Sequence, residues 1–295
     1  MYSRSSEAQH PDNRPRKAVA VTEVGSQSAS LNKPLQSTGP SFDKKESAMP
    51  EQANETLRTI HSLRSTRGNF SDREIGAANL QTILDATVRA ANAANAQNYA
   101  IVVSDDRALT QETFGMQSPA SLLFCVDLQR NTDLAAHVGC TYEYDPVWAL
   151  TTGTVDAAFA AQTAAIAARS LGIDSLLTNV IHRGDPRRVW KAFDLPSRNC
   201  YPVILLLLGY ASTPAGARSG RLGAHGTIHQ GRYHHRTPSE LDQLAAFQSD
   251  AANGLWEPKT FFEGPGKRAK TAYAQMTAAL AEAGFGLPAA ISKQG

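Results

Sequence analysis

A chain of 295 residues, 42% apolar and 19% charged, has the make-up of a water-soluble folded protein of one or two domains. Its 29 basic residues against 27 acidic ones leave a net charge of +2, too even a balance for a nucleic-acid partner. The longest apolar run, Val203 to Leu208, is far short of the roughly 20 residues a membrane helix needs, so no membrane association is expected.

Residues 1–52 are rich in Ser, Pro, Gln and Asn and show no apolar period, so they are expected to form a disordered extension. Order is expected to begin near Asn54, with Leu57, Ile60 and Leu63 along one side of a helix that ends before Gly68. A second helix is predicted over 75–91, its Leu80, Ile83, Leu84 and Val88 forming one buried stripe. Strands follow at 99–103 and 121–126. From Thr152 to Leu171 the chain is alanine-rich, which favours helix and close approach of neighbouring backbones, and Gly172 stands where a left-handed cap would end it. Such a helix belongs in a crowded interior or at a subunit contact. A strand at 175–180, a helix at 186–193 and an all-apolar strand at 203–208, covered on both faces, come next. Two further helices are predicted, one N-capped by Ser239 and one over 267–283 that stops at Gly284. Lys267, Arg268 and Lys270 read as a solvated face of the latter. Alternating elements without a repeat give one layered domain with tails.

Two segments carry chemistry. Arg64-Ser65-Thr66-Arg67, just after a helix, offers two guanidiniums and a hydroxyl suited to a phosphate dianion, although Arg pairs also occur at ordinary exposed helix ends. Ala90 to Tyr99 joins a helix to a strand through small residues with Asn92, Asn95, Gln97 and Asn98. Small side chains let the backbone approach a flat ring, and amides supply donors and acceptors to a heterocycle edge, although an Asx-rich turn has the same composition. The histidines at 225, 229, 234 and 235 have no metal-ligand spacing, and no metal is predicted. Cys125, Cys140 and Cys200 form neither a disulfide framework nor a CxxC pair, which fits a reducing cytoplasm. No Ser-His-Asp or paired-carboxylate arrangement stands out, so no catalytic side chain is named.

Taken together, R-S-x-R, a helix, and a small-residue segment with N-x-Q running into a strand resemble the nitroreductase family. Asp156, Gln162 and Leu171-Gly172 on the alanine-rich helix agree, as do 189–196 and the run from Pro202-Val203 to Gly209-Tyr210. The resemblance spans about residues 56 to 235. It departs where the family's A-P-S is Ala90-Ala91-Asn92, where its Q-P-W is Gln97-Asn98-Tyr99, and where Arg67 to Phe70 is one residue longer.

The resemblance implies an α+β fold of three layers, α/β/α, with a mixed central sheet flanked by helices, assembled as an FMN-binding homodimer. It places the flavin domain at 53–235 and a helical extension at 236–295. Arg64, Ser65 and Arg67 would contact the phosphate and the pyrimidine side of FMN, and Arg218 or Arg221 would complete the phosphate site. Gln162 would lie near the ring, and the backbone at Thr178 and Asn179 would face the N5 region. Asn92, Asn95 and Gln97 would reach the flavin from the partner subunit, with the alanine-rich helix at the core of the dimer. The implied activity is ping-pong reduction of nitro compounds, quinones or related small acceptors by NADH or NADPH. Other flavin chemistry (dehalogenation, oxidation or flavin breakdown) and flavin binding without turnover are the alternatives.

Overall fold

A computed structural model describes residues 53–214, 219–267, 271 and 273–286. The N-terminal extension expected at 1–52, Arg218, and Arg268 and Lys270 lie outside the described residues.

The chain opens with α1 (Glu55–Ser62), where the side chain of Asn54 accepts a hydrogen bond from the Leu57 N–H and so caps the first turn. Helix α2 (Ala77–Thr87) follows and is shorter at both ends than the apolar stripe predicts. Then come β1 (Tyr99–Ser104), α3 (Arg107–Phe114), β2 (Ala120–Asp127) and α4 (Gln129–His137). Helices α3 and α4 are absent from the sequence reading because their hydrophobic pattern is sparse. Their starts are nonetheless written in Asp106, which caps α3, and in Asp127, whose Oδ1 accepts from the Gln129 N–H at 2.9 Å.

The long helix α5 runs Pro146–Ser170, six residues earlier than its alanine-rich stretch, because Asp145 caps it and Pro146 fits its first turn. After it come β3 (Asp174–Thr178), α6 (Arg187–Ala192) and β4 (Cys200–Gly209). Helix α7 (Pro238–Ser249) is capped by Thr237 in a reciprocal box with Glu240, which corrects the expected Ser239 cap. Of the helix expected over 267–283, part lies outside the described residues and part is α9 (Met276–Leu280), followed by a wide turn at Ala281–Phe285; a further short helix, α8 (Pro258–Phe261), precedes that range and also ends in a wide turn. Gly284, at φ 89°, marks the stop expected there.

The sheet has the order β1-β2-β4-β3, and all three ladders are antiparallel. The mixed character expected of it reduces, among the described residues, to one isolated parallel bridge between Ser65 and Ser175. Both faces are covered, as the all-apolar β4 requires. Leu122, Phe124, Leu206 and Leu208 pack against α2 and α5, whereas Leu123, Cys125, Leu205 and Leu207 pack against Phe114 of α3 and Val189 of α6. A third cluster joins Val126, Leu128 and Tyr201 to Ala283 and Phe285, so the C-terminal turn is part of the same core.

Ala157, Ala160, Ala161, Ala164 and Ala168 of α5 are buried against the chain's own sheet. The outer face carries Trp148, Val155 and Phe159, which are 50%, 44% and 51% exposed. These five alanines therefore make the interior contact, and the larger side chains share the exposed face with Ala158 and Gln162. Spacings of seven and four place Trp148, Val155 and Phe159 in one stripe.

Candidate functional site

The segment after α1 is held beside β3 like a short extra strand. The Thr66 N–H donates to the Ser175 carbonyl at 2.9 Å, and Thr66 is buried beneath the turn. This turns Ser65 and Arg67 outward and leaves Arg64 half-buried. The Arg64 Nε is fully covered yet has no hydrogen-bond partner among the described residues. A buried guanidinium N–H without an acceptor costs free energy and points to an anion meant to satisfy it.

Around this segment lies a cleft of about 1320 Å³. Arg64, Ser65, Arg67, Gln162 and Arg221 all line it, so five of the residues singled out in the sequence meet in one place. Its floor is a network the sequence analysis missed. Arg169, in the last turn of α5, donates to Asp174 at 3.0 Å and to the Ser62 hydroxyl at 2.9 Å. Asp174 in turn accepts from the Ala211 N–H at 3.1 Å. These bonds tie together the ends of α1, α5 and β4 and the start of β3. The Ser212 N–H to Asn69 carbonyl bond, 2.7 Å, closes one edge. A weak signal for the network was present: a basic residue near a helix C-terminus, five positions before an acid.

The charge balance of the cleft is one-sided. Arg169 is paired with Asp174, but Arg64, Arg67 and Arg221 have no carboxylate partner among the described residues. The Arg221 side chain instead donates to the nearby Ser219 and Gly220 carbonyls. That stretch is fixed from outside, where the Gly220 N–H donates to the Gly254 carbonyl at 3.0 Å. A Cβ on Gly220 would fall 1.8 Å from the Asn253 carbonyl oxygen, so only glycine fits there. The contact also brings Leu255 and Trp256 to the cleft wall.

The remaining sequence-predicted residues lie elsewhere. Thr178 and Asn179 follow the cleft-lining Leu177 but do not line the cleft themselves; the Thr178 hydroxyl accepts from the Val180 N–H at 3.3 Å. Asn92, Asn95 and Gln97 sit on a separate loop. Within it Ala94, Asn95 and Gln97 have φ of 52°, 54° and 52°, in the left-handed region that costs a residue with a side chain about 1–2 kcal/mol. The Asn92 side chain accepts from the Gln97 N–H at 3.2 Å, and the Ala93 N–H donates to the buried Asp156 at 3.0 Å. Asn95 and Gln97 are exposed. One chain thus holds a cationic cleft and, apart from it, an outward-facing amide loop. Among the described residues no group of three or more His, Cys, Asp or Glu side chains is placed to hold a metal ion.

The chain is similar to known proteins in both sequence and fold. The family model described as the nitroreductase family matches residues 60–210. A curated relative named FMN reductase [NAD(P)H], from Bacillus subtilis, is 26% identical over 195 residues, covering 61% of this chain and 75% of its own. A second, an NADPH-dependent oxidoreductase of Staphylococcus aureus, is 23% identical over 209 residues, covering 68% and 81%. Among solved structures, NfrA2 of B. megaterium superposes with a TM-score of 0.69 at 26% identity, over 80% of this chain and all of that one. The NADPH:FMN oxidoreductase of Vibrio harveyi, solved with NAD+, has the same fold, with a TM-score of 0.67 at 22% identity over 78% and 98%.

Proposed function

The chain belongs to the nitroreductase family, and on that premise we propose that it is an FMN-dependent oxidoreductase reduced by NADH or NADPH, which passes electrons to a small-molecule acceptor such as a nitro compound or quinone. The observation that carries the reading is the cleft itself, lined by three arginines that have no carboxylate partner among the described residues, one of them with a buried N–H that none of those residues accepts. A phosphate dianion answers that need through paired, charge-assisted hydrogen bonds. Bound there, FMN supplies the two-electron chemistry, and the protein supplies orientation and charge.

Arg64, Ser65, Arg67 and Arg221 hold the phosphate in this reading, with Arg218 a further candidate. Gln162, on the cleft wall of α5, offers an amide donor and acceptor to the ring edge. The backbone at Thr178 and Asn179 borders the same wall. Asn92, Asn95 and Gln97 complete the site from a second copy. The exposed stripe of α5 supports that assembly, since Gln162 is seven positions beyond Val155 and lies on the line of Val155 and Phe159. The apolar seam therefore leads into the cleft. Residues 53–235 are assigned to the flavin domain and 236–295 to a helical extension. No described helix is long and apolar enough to cross a membrane, and the free cysteines favour a cytoplasmic setting.

The test is titration of the purified full chain with FMN and with riboflavin, followed by flavin fluorescence. Arg64→Ala should weaken FMN binding by about 10- to 100-fold, the worth of a lost charge-assisted pair, and leave riboflavin binding nearly unchanged. Rapid reduction of the bound flavin by NADH or NADPH should follow. A chain that stays colourless with added FMN overturns the proposal.

A further inference from the structure

Two side chains outside the cleft converge on the strained amide loop from opposite ends. From α4, the Arg130 Nη2 donates to the carbonyls of Ala96 at 3.1 Å and Gln97 at 2.5 Å. Its own N–H is held by Asp127 at 3.3 Å, which fixes the first turn of the helix that carries it. From α5, Asp156, only 1% exposed, accepts the Ala93 N–H at 3.0 Å. Between these two anchors stand the left-handed residues Ala94, Asn95 and Gln97. Left-handed backbone at such residues persists only where surrounding contacts over-determine it. Within the loop the Ala96 N–H donates to the Ala93 carbonyl at 2.9 Å and the Gln97 N–H to the Asn92 side chain at 3.2 Å, and Asp156 and Arg130 add the contacts from outside it.

The setting of Asp156 strengthens the case. Its second oxygen, Oδ2, is buried with no hydrogen-bond partner among the described residues, and so is the Tyr99 hydroxyl. Burial raises the Tyr99 pKa, and the charge on Asp156 raises it further. A buried carboxylate kept at this expense, with a backbone N–H of the loop as its partner, does more than fill space.

We propose that Arg130 and Asp156 are positioning residues, a two-point clamp that holds the 92–97 loop in its outward-presenting shape so that Asn92, Asn95 and Gln97 can be delivered to the flavin of a second copy. The inference rests on the FMN-dependent dimer proposed above. Neither residue touches the cleft of its own chain, and neither is needed to hold the phosphate. Arg130 is exposed on α4, so its removal leaves the core intact. Its effect must then pass through the loop.

The experiment compares the wild-type full chain with Arg130→Ala, Arg130→Lys, Ala94→Gly and the Arg130→Ala/Ala94→Gly double variant. FMN affinity, the visible circular dichroism of bound flavin and the thermal midpoint of the flavin-free protein are read in each. Arg130→Ala should weaken FMN about tenfold and change the dichroism of the bound ring, with the midpoint of the flavin-free protein unmoved. Arg130→Lys, which keeps one donor to the carbonyls, should recover most of the affinity. Glycine at position 94 adopts the left-handed conformation freely, so in that background the loss caused by Arg130→Ala should shrink. Asp156→Ala should mimic Arg130→Ala, while Asp156→Asn, which still accepts the Ala93 N–H, should bind more tightly than Asp156→Ala. Unchanged affinity and dichroism in Arg130→Ala would overturn the clamp, as would strictly additive effects of the two single variants. A wild-type chain that fails to take up FMN would overturn the functional reading instead, so the two failures are distinct.

Discussion

Replacing Gly153 by alanine tests how closely the central helix is seated on the sheet beneath the amide loop. A Cβ built there meets the Val126 Cγ1 at 2.6 Å, its Cγ2 at 3.2 Å and the Asn98 carbonyl oxygen at 3.0 Å. Val126 is fully buried and β-branched, so it has little rotamer freedom with which to withdraw. The Asn98 carbonyl is fixed as acceptor for the Asp127 N–H at 3.1 Å. Relieving the overlap should cost about 1–3 kcal/mol. Alanine gains about 1 kcal/mol over glycine in a helix interior, which leaves a net destabilisation of roughly 0–2 kcal/mol. At about 2–4 °C per kcal/mol, the thermal midpoint should fall by a few degrees. Asn98 directly follows the 92–97 loop, so FMN affinity should fall with it. The assay is far-UV melting of the flavin-free protein beside an FMN titration. A rise in midpoint of the size helix propensity alone provides would refute the close contact, because it would mean that the new methyl group meets nothing.

Two further outcomes follow from the same packing. Phe159→Glu lies on the exposed stripe of α5, so the folded monomer should lose less than about 0.5 kcal/mol while the dimer and its flavin are lost together; a dimer that keeps FMN, seen by light scattering and absorbance, would remove the stripe from the interface. Ala157→Leu on the opposite face should instead unfold the protein more easily, by about 1–3 kcal/mol. His182 is 8% exposed, stacks on Tyr201 and donates through Nε2–H to the Pro202 carbonyl at 2.9 Å. Burial holds its pKa below the ordinary value of 6.5, and the nearby Arg188 adds to the effect. The unfolded chain then takes up a proton that the folded one refuses, so stability falls as pH drops from 6.5 through the folded pKa, with no contribution above that window. Melting at pH values either side of that window should show a smaller acid loss in His182→Gln than in wild type, and equal losses would show that His182 titrates normally.

The parts of this protein that were legible in the sequence are those whose cause is local. The strands β1, β2 and β4 are dense β-branched and apolar runs, and the Arg64–Arg67 motif is contiguous, so both survive without tertiary knowledge. Gln162 and Arg221 could be linked to that motif only through the family resemblance, because the bonds that shape the cleft run between α1, α5, β3 and the end of β4, and from Gly220 to Gly254. Arg169 and Asp174 were passed over for the same reason: each is ordinary in its own segment and gains meaning only from the other. The alanine-rich helix was legible as crowded but not as to which side is crowded by what. Alanine specifies close approach and not the identity of the neighbour, and the Trp148, Val155 and Phe159 stripe becomes visible only once the register of the helix is fixed. The loop at 92–97 was legible in composition, whereas its left-handed backbone at Ala94 contradicts local propensity and is held by bonds from Asp156 to Ala93 and from Arg130 to Ala96 and Gln97, across 63, 34 and 33 residues.

The site proposed above, divided between two copies, makes a demand that no single-chain site can meet. The cationic cleft and the amide loop lie on different parts of the same chain, and the loop lines no part of its own cleft. Consider a chain carrying Arg64→Ala, with a damaged phosphate cradle, and another carrying Asn95→Ala, with a damaged loop. Each homodimer has two defective sites. In a two-fold dimer of the mixed pair, the cleft of the Asn95→Ala chain keeps its arginine and is covered by the intact loop of the Arg64→Ala chain, while the other cleft carries both defects. Random mixing makes half of the dimers mixed, so about a quarter of all clefts should regain wild-type FMN affinity. Co-expression with two different affinity tags isolates the mixed dimer, in which half of the clefts should be restored, and FMN titration of that species should resolve one tight and one weak class. If both residues served the same cleft of one chain, mixing would restore nothing, and the mixed dimer would show only the two weak affinities of its parents.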